Sequence, residues 1–236
     1  VPRAGQADDG VLQAAGPGLV ACTGRPAGFA EVVMRQWPLS GAVAENGAIF
    51  FLRREDGGLT AHDPVSSDVR RERRRVLQEH AATILTEFPA FARSDDDWAR
   101  RSDVALDHGE HRSVPPEQLA RAVARVEELG ANCFCSSIHL HLTFERTDKA
   151  EGYVALEAAR GRKRSEALAR AVYVGDSEND APAFAAIPLS VGVGNVRARA
   201  DRLSAKPAFV TSAERSAGFV ELAEHLLALR RVGRGA

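Results

Sequence analysis

An α/β protein with a second, α+β unit inserted into it is the fold class that the sequence predicts, and three observations carry that expectation. Short apolar runs alternate with amphipathic stretches near the N-terminus, where "GLVAC" precedes "GFAEVVMRQW". The same alternation returns near the C-terminus, with "AVYV", "LSVGVG" and "AFV" followed by "GFVELAEHLLAL". It is the pattern of a largely parallel sheet covered by helices. Between the two ends the texture changes to a long Arg-rich helix, a polar patch, and strand and helix patterns of their own, as in an inserted domain. We place the core in residues 1–62 and 146–236 and the insert in residues 63–145.

In chain order, the first strand ends at Cys22 and is followed by a Thr-Gly turn and a helix from about Pro26, where the missing proline N–H would have had no partner anyway. "GAVAENGAIFFL" gives two short strands around Glu45-Asn46-Gly47, because Asn-Gly is a hairpin signal. The insert offers a helix over about Asp68 to Phe88, the polar patch "RSDDDWARRSD", a strand "DVALDH", a helix "PPEQLARAVARVEELG" and the stretch "NCFCSSIHLHLTFE". In that last stretch the period of two puts Ser137, His139 and His141 on one face and Ile138, Leu140 and Leu142 on the other. The apolar face should pack and the polar face look outward. Cys133 and Cys135 share a face as small core residues. Ala171 to Val174 is a continuous apolar run of the kind buried in a parallel sheet.

At 236 residues, 44% hydrophobic and 27% charged, the chain can bury a sizeable core. Its 32 acidic and 31 basic residues nearly cancel, which excludes a global field that would recruit nucleic acid or an acidic membrane. The run Arg70 to Arg75 reads as a solvated helix face rather than a nucleic-acid surface. Three cysteines without metal-ligand spacing, no signal-peptide pattern and no apolar stretch of about twenty residues predict a reduced, cytoplasmic protein, monomer or homodimer, with no membrane partner.

The chemistry gathers in "GDSEND". Ser177 is a natural N-cap and Asp180 completes a capping-box pattern, but this leaves Gly175, Asp176 and Asn179 without a role. A carboxylate at the C-terminal end of a buried parallel strand lies where open α/β sheets bind ligands, and oxygen ligands there suit Mg²⁺. In "TGRP", the Thr23 hydroxyl and backbone donors at a helix N-terminus make an anion cradle. Lys149, just ahead of another helix, offers the compact charge that a phosphoryl group requires. Each feature also has a plain reading, as a cap, a turn or a surface lysine. His-x-His on a strand can bind a transition metal, but no third ligand is evident, and "DHGEH" reads as a polar loop. Glu45 and Asn46 are expected to meet substrate or cap, although turn geometry alone explains Asn-Gly.

Strand-"TGR", "ENG", an insert of about eighty residues, "SSIH", "DK" before a helix, "GDSEND" and "PLSVGVGN", in this order, resemble the haloacid dehalogenase superfamily of aspartyl-phosphate hydrolases. The chain is most similar to its subfamily IIB, the Cof-type and sucrose-phosphatase-like members with a C2-type cap. The resemblance implies a Rossmann-like core, and Mg²⁺-dependent hydrolysis of a phosphomonoester through an aspartyl-phosphate. The substrate it implies is a sugar phosphate or similar small phosphorylated metabolite. It implies that Thr23 and the Gly24 amide hold the phosphate, Lys149 neutralises it and Asn179 positions it. Asp176 would bind Mg²⁺ directly and Asp180 would ligate or orient it, while Ser137, His139 and His141 on the cap would face substrate.

One departure is serious. The family's first motif, an apolar strand ending in Asp-x-Asp-Gly-Thr, supplies the nucleophile and the general acid, and should precede "TGRP". Here "VPRAGQADDGVLQAAGPG" stands there, with Ala7 where the nucleophile belongs, and Asp8 and Asp9 read as a helix start. In the family that strand lies between those ending at Cys22 and Val174. The expectation is therefore an N-terminally truncated chain, inactive as given, whose two flanking strands either pair across the gap or keep open edges. The alternative is a non-catalytic binding or regulatory relative that retains the phosphate cradle.

Overall fold

The computed structural model describes residues 18–233, so the expected helix start at Asp8 and Asp9 lies outside the described residues. The first core segment runs β1 (Val20–Cys22), α1 (Ala27–Gln36), β2 (Gly41–Ala44), β3 (Ile49–Arg53) and β4 (Leu59–His62). β1 pairs parallel with β2, while β2, β3 and β4 form an antiparallel meander whose first turn is the expected Glu45-Asn46-Gly47. β4 was not foreseen; its signal is the turn at Asp56-Gly57-Gly58 that precedes it. α1 buries Ala27, Ala30 and Met34 against Ala42, Ala44, Ile49 and Phe51, so small residues let the helix lie close to the sheet.

The insert follows as α2 (Ser67–Glu87), β5 (Ala92–Arg93), β6 (Asp103–Asp107), α3 (Pro116–Glu128), β7 (Asn132–Cys135) and β8 (His139–Thr143). Its strands pair antiparallel in the order β5-β6-β8-β7. α2 and α3 cover one face, where Leu77, Ile84, Val104, Leu106, Val126, Leu140 and Leu142 make a separate core, with Cys133 and Cys135 packed against it. The arginine run is not a free basic surface: Arg71 pairs with Asp68, Arg73 with Glu145, Arg74 with Asp97, and Arg75 with Glu72 and Glu79. Arg70 is buried and bonds Asp63 (2.6 Å) and Glu145 (2.7 Å), tying together the two chain segments that enter and leave the insert.

The chain returns to the core through α4 (Lys149–Ala159), α5 (Arg164–Ala169), β9 (Val172–Gly175), α6 (Ala181–Ala186), β10 (Leu189–Gly192), β11 (Phe209–Val210) and α7 (Arg215–Gly233). β9, β10 and β11 are parallel. Among the described residues, however, the core sheet is in two pieces: β1-β2-β3-β4 and β11-β10-β9. β1 and β9 do not pair, and each turns an unladdered edge toward a cavity of about 1110 Å³. Leu19 and Ala21, Val172 and Val174, and Phe219 and Leu222 of α7 line this slot. The run ending at Val174 is consequently less buried than a central parallel strand would be, with Val172 40% exposed. Among the described residues, no helix is long and apolar enough to cross a membrane.

Candidate active site

Chain segments leaving the C-terminal ends of β1 and β9 meet. Thr23 donates its N–H to Val43 O (2.9 Å), and its hydroxyl accepts from Arg25 N (3.0 Å), closing the turn ahead of α1. Glycine stands next to it, at Gly24, where a Cβ would lie 2.9 Å from Asn46 Nδ2 and 3.4 Å from Asn179 Nδ2, so a side chain there would displace the Asn46 amide. Asn179 Nδ2 donates to Asn46 Oδ1 (3.0 Å), and Asn179 Oδ1 accepts from Lys149 Nζ (3.2 Å) and Ser177 Oγ (2.6 Å).

Lys149 opens α4, whose N-cap Asp148 accepts from Ala150 N (2.8 Å) and Glu151 N (2.9 Å). Its buried ammonium bonds the buried Asp180 carboxylate at 2.6 Å. Asp180 also accepts from Tyr173 OH (2.6 Å), Asp176 N (2.8 Å) and Ser177 N (3.0 Å), and lies 3.0 Å from Ser177 Oγ, whose one proton it shares with Asn179 Oδ1. Burial pushes the Asp180 pKa up, but the Lys149 charge and these hydrogen bonds outweigh it and hold the carboxyl below its usual range. Asp176 Oδ2 accepts from Asn195 Nδ2 (2.9 Å), while Asn195 Oδ1 accepts from Arg215 N (3.0 Å). Sequence reasoning gave Asn195 no role of its own; its signal is "GVGN" leaving a strand parallel to β9 at the same end of the sheet. Among the described residues, no group of three or more His, Cys, Asp and Glu side chains could hold a metal ion.

The insert forms the opposite wall of a cavity of about 230 Å³, where Arg100, Ser137, His139 and His141 face Thr23, Gly24, Lys149 and Asn179. Leu140 and Leu142 pack and His139 and His141 turn the other way, as the period of two requires. Ile138 does not follow the expected face and lines the cavity instead. The reason is that the strand begins only at His139: Ser136 N donates to His139 O (2.8 Å) and Ser136 Oγ accepts from His139 N (3.0 Å), which makes Ser136–Ile138 the hairpin turn. The patch "RSDDDWARRSD" is likewise more than a polar surface, since Asp97, Arg100, Ser102 and Asp103 are buried. Arg100 bonds Asp103 (3.0 Å) and Asp96 (3.1 Å) and donates to Gly24 O (3.1 Å), so an insert side chain touches the phosphate-loop candidate directly. Interleaved acids and arginines just before a strand were the available signal for it.

Both histidines of β8 donate to carboxylates, His141 Nδ1 to Asp103 (2.7 Å) and His139 Nε2 to Glu110 (2.9 Å), and His141 stacks on Phe134 with ring centroids 4.5 Å apart. Burial pushes both histidine pKa values down, more than these carboxylates raise them. A depressed pKa means that the unfolded chain binds more protons, so this stabilisation is complete above the unfolded value of about 6.5 and lost as pH falls below it. The thermal unfolding midpoint should therefore fall on acidification from about pH 7.5 to about pH 5.5, less steeply for His141→Gln than for the parent. Equal slopes would contradict this assignment.

No family model matches the chain. A phosphoglycolate phosphatase of Methanoculleus marisnigri is 30% identical over 157 residues, 66% of this chain and 60% of that protein. The chain thus matches less than two thirds of that relative's length. Among solved structures, the sucrose-phosphatase of Synechocystis sp. PCC6803, in complex with sucrose and phosphate, aligns with a TM-score of 0.66 at 18% identity, covering 93% of this chain and 88% of that one. A HAD subclass IIB sugar phosphatase aligns with a TM-score of 0.65 at 13% identity, covering 96% and 92%. The chain has the fold of these haloacid dehalogenase (HAD) structures. Of the positions that the HAD resemblance singled out, Thr23, Gly24, Asn46, Lys149, Asn179 and Asp180 come together in the core. Asp176 lies at the adjoining strand end, while Ser137, His139 and His141 line the facing wall. Glu45 turns away from the cavity and bonds the insert backbone at Arg101 and Ser102.

Proposed function

We propose that the protein is a HAD-type phosphomonoester hydrolase that acts on a sugar phosphate or a similar small phosphorylated metabolite and uses Mg²⁺. One observation carries this reading. Hydroxyl, amide and ammonium donors of Thr23, Gly24, Asn179 and Lys149 converge at the C-terminal ends of β1 and β9, beneath a wall of cap residues. The relatives' names, phosphoglycolate phosphatase, sucrose-phosphatase and sugar phosphatase, describe the same phosphate-ester chemistry. We take residues 63–145 as the cap and residues 1–62 and 146–236 as the core, a division supported by the separate cap core and by the Arg70 clamp.

The chain's own residues bind and orient. Thr23 Oγ1 accepts from Arg25 N and so keeps its proton for an anion. Lys149, fixed between Asn179 and Asp180, neutralises charge on phosphoryl oxygens without rearranging. Asp176, steadied by Asn195, is the carboxylate that would hold Mg²⁺, an ion content with one or two carboxylates plus water and phosphate oxygens. When bound, the ion would polarise the phosphoryl group as a Lewis acid. Of the two roles open to Asp180, orienting is the one its hydrogen bonds favour, because its oxygens are engaged by Lys149, Tyr173 and the Asp176–Ser177 segment.

None of Thr23, Lys149 and Asp176 is a nucleophile aimed at phosphorus. A strand lying in the slot, parallel to β1 and β9, would end beside Lys149 and Asn179, and an aspartate there would be placed for attack. The metal assignment has its own test. Asp176→Asn should weaken Mg²⁺ affinity, measured by calorimetry, far more than Ser177→Ala, which removes a cap-type contact worth about 1 kcal/mol. Equal effects would make the loop purely structural.

A further inference from the structure

The turn Glu45-Asn46-Gly47 holds two non-glycine residues in the left-handed region, Glu45 at φ 49° and Asn46 at φ 52°, followed by Gly47 at φ 105°. Asparagine tolerates this conformation but glutamate does so rarely, so surrounding contacts must fix it. Glu45 is a core residue that serves the cap. Its Oε1 accepts from Ala27 N (2.8 Å) and Arg101 N (2.9 Å), and its Oε2 from Ser102 N (2.6 Å) and Ser102 Oγ. A carboxylate suits that place because every neighbour donates, whereas the NH₂ of a glutamine would face donors. The bonded backbone follows Arg100, which reaches Gly24 O and lines the cavity.

Asn46 faces the other way, toward the phosphate-binding loop. Its Oδ1 is taken by Asn179, but its Nδ2 is a buried donor with no hydrogen-bond partner, close to Gly24. Buried polar groups rarely stay unpaired, so the donor points to a ligand. Gly47 seats the same turn on the start of α4, where a Cβ would lie 2.0 Å from Asp148 O, directly before Lys149. A single turn therefore touches the cap, the phosphate loop and the lysine helix.

We infer that this turn is a latch coupling anion occupancy to cap closure: Asn46 Nδ2 donates to an anion oxygen in the Thr23–Lys149 cradle, and the turn so fixed lets Glu45 clamp Arg101 and Ser102 to the core. The inference rests on the phosphate-site reading above. It makes Asn46 a ligand-binding residue and Glu45 a positioning residue.

Amide hydrogen exchange on the chain, read residue by residue by NMR with and without inorganic phosphate, tests it. Phosphate should slow exchange at Arg101 and Ser102 severalfold in the parent. Asn46→Ala should weaken phosphate binding, measured by calorimetry, and abolish that extra protection while keeping the protection seen without phosphate. Glu45→Gln should raise exchange at both amides with or without phosphate, and Ser102→Ala, a milder change, should do the same in part. Phosphate binding that leaves Arg101 and Ser102 unchanged, or that protects them equally in Asn46→Ala, overturns the latch and leaves the phosphate site standing. No phosphate binding by the parent overturns both.

Discussion

Joining a segment of about twenty residues with an apolar strand and Asp-x-Asp ahead of Val1 is expected to raise the midpoint of thermal unfolding by on the order of 10 °C. β1 and β9 each have one laddered edge and one edge facing the slot. A strand placed between them satisfies backbone donors and acceptors on both sides at about 0.5–1.5 kcal/mol per hydrogen bond. It also covers apolar groups such as Leu19, Val174 and Leu222 that line the cavity. A gain of several kcal/mol corresponds to the stated shift at about 2–4 °C per kcal/mol for a chain of this size. The same segment with its apolar strand residues changed to serine should give little or none of it. Equal stabilisation by both would mean that the slot is not where the segment binds.

Lys149→Met should cost about 3–5 kcal/mol of folding stability, because it leaves the buried Asp180 carboxylate without its cation. The loss should be largest near neutral pH. The depressed Asp180 pKa means that its stabilising contribution is present above the unfolded carboxyl value of about 3.9 and disappears as pH falls through the lower, folded value. Adding Asp180→Asn to Lys149→Met should recover part of the loss, a non-additivity expected of directly bonded partners. Urea unfolding of the two single variants and the double variant checks this, and strict additivity would show that the pair is not coupled.

Local chemistry made much of this molecule legible in its sequence. Asp176 and Asn179 were recognisable because a capping box left them without a role, Gly24 was singled out by the resemblance, and the two-residue period turned His139 and His141 away from the apolar core of the insert. The period misplaced Ile138 because it was carried past the point where Ser136 closes a hairpin turn. Arg100 and Asn195 were out of reach for a different reason: each acts across a domain or strand boundary, on Gly24 and Asp176 respectively, and no spacing along the chain encodes such a contact. Glu45 was expected to meet substrate or cap, and only its bonds to Arg101 and Ser102 separate the two. Of the two expected outcomes, direct β1–β9 pairing is not what the structure shows: among the described residues the facing edges of β1 and β9 carry no strand partner and border the slot.

The most direct test of the central claim is Mg²⁺-dependent phosphate release from a panel of small phosphomonoesters, measured side by side for the 236-residue chain and for the chain carrying the added Asp-x-Asp strand. The account predicts turnover by the extended chain alone, lost when the first aspartate of the added motif becomes asparagine and when Lys149 becomes methionine. Robust Mg²⁺-dependent turnover by the 236-residue chain, surviving substitution of Asp8 and Asp9, would contradict it and place the nucleophile elsewhere in the molecule.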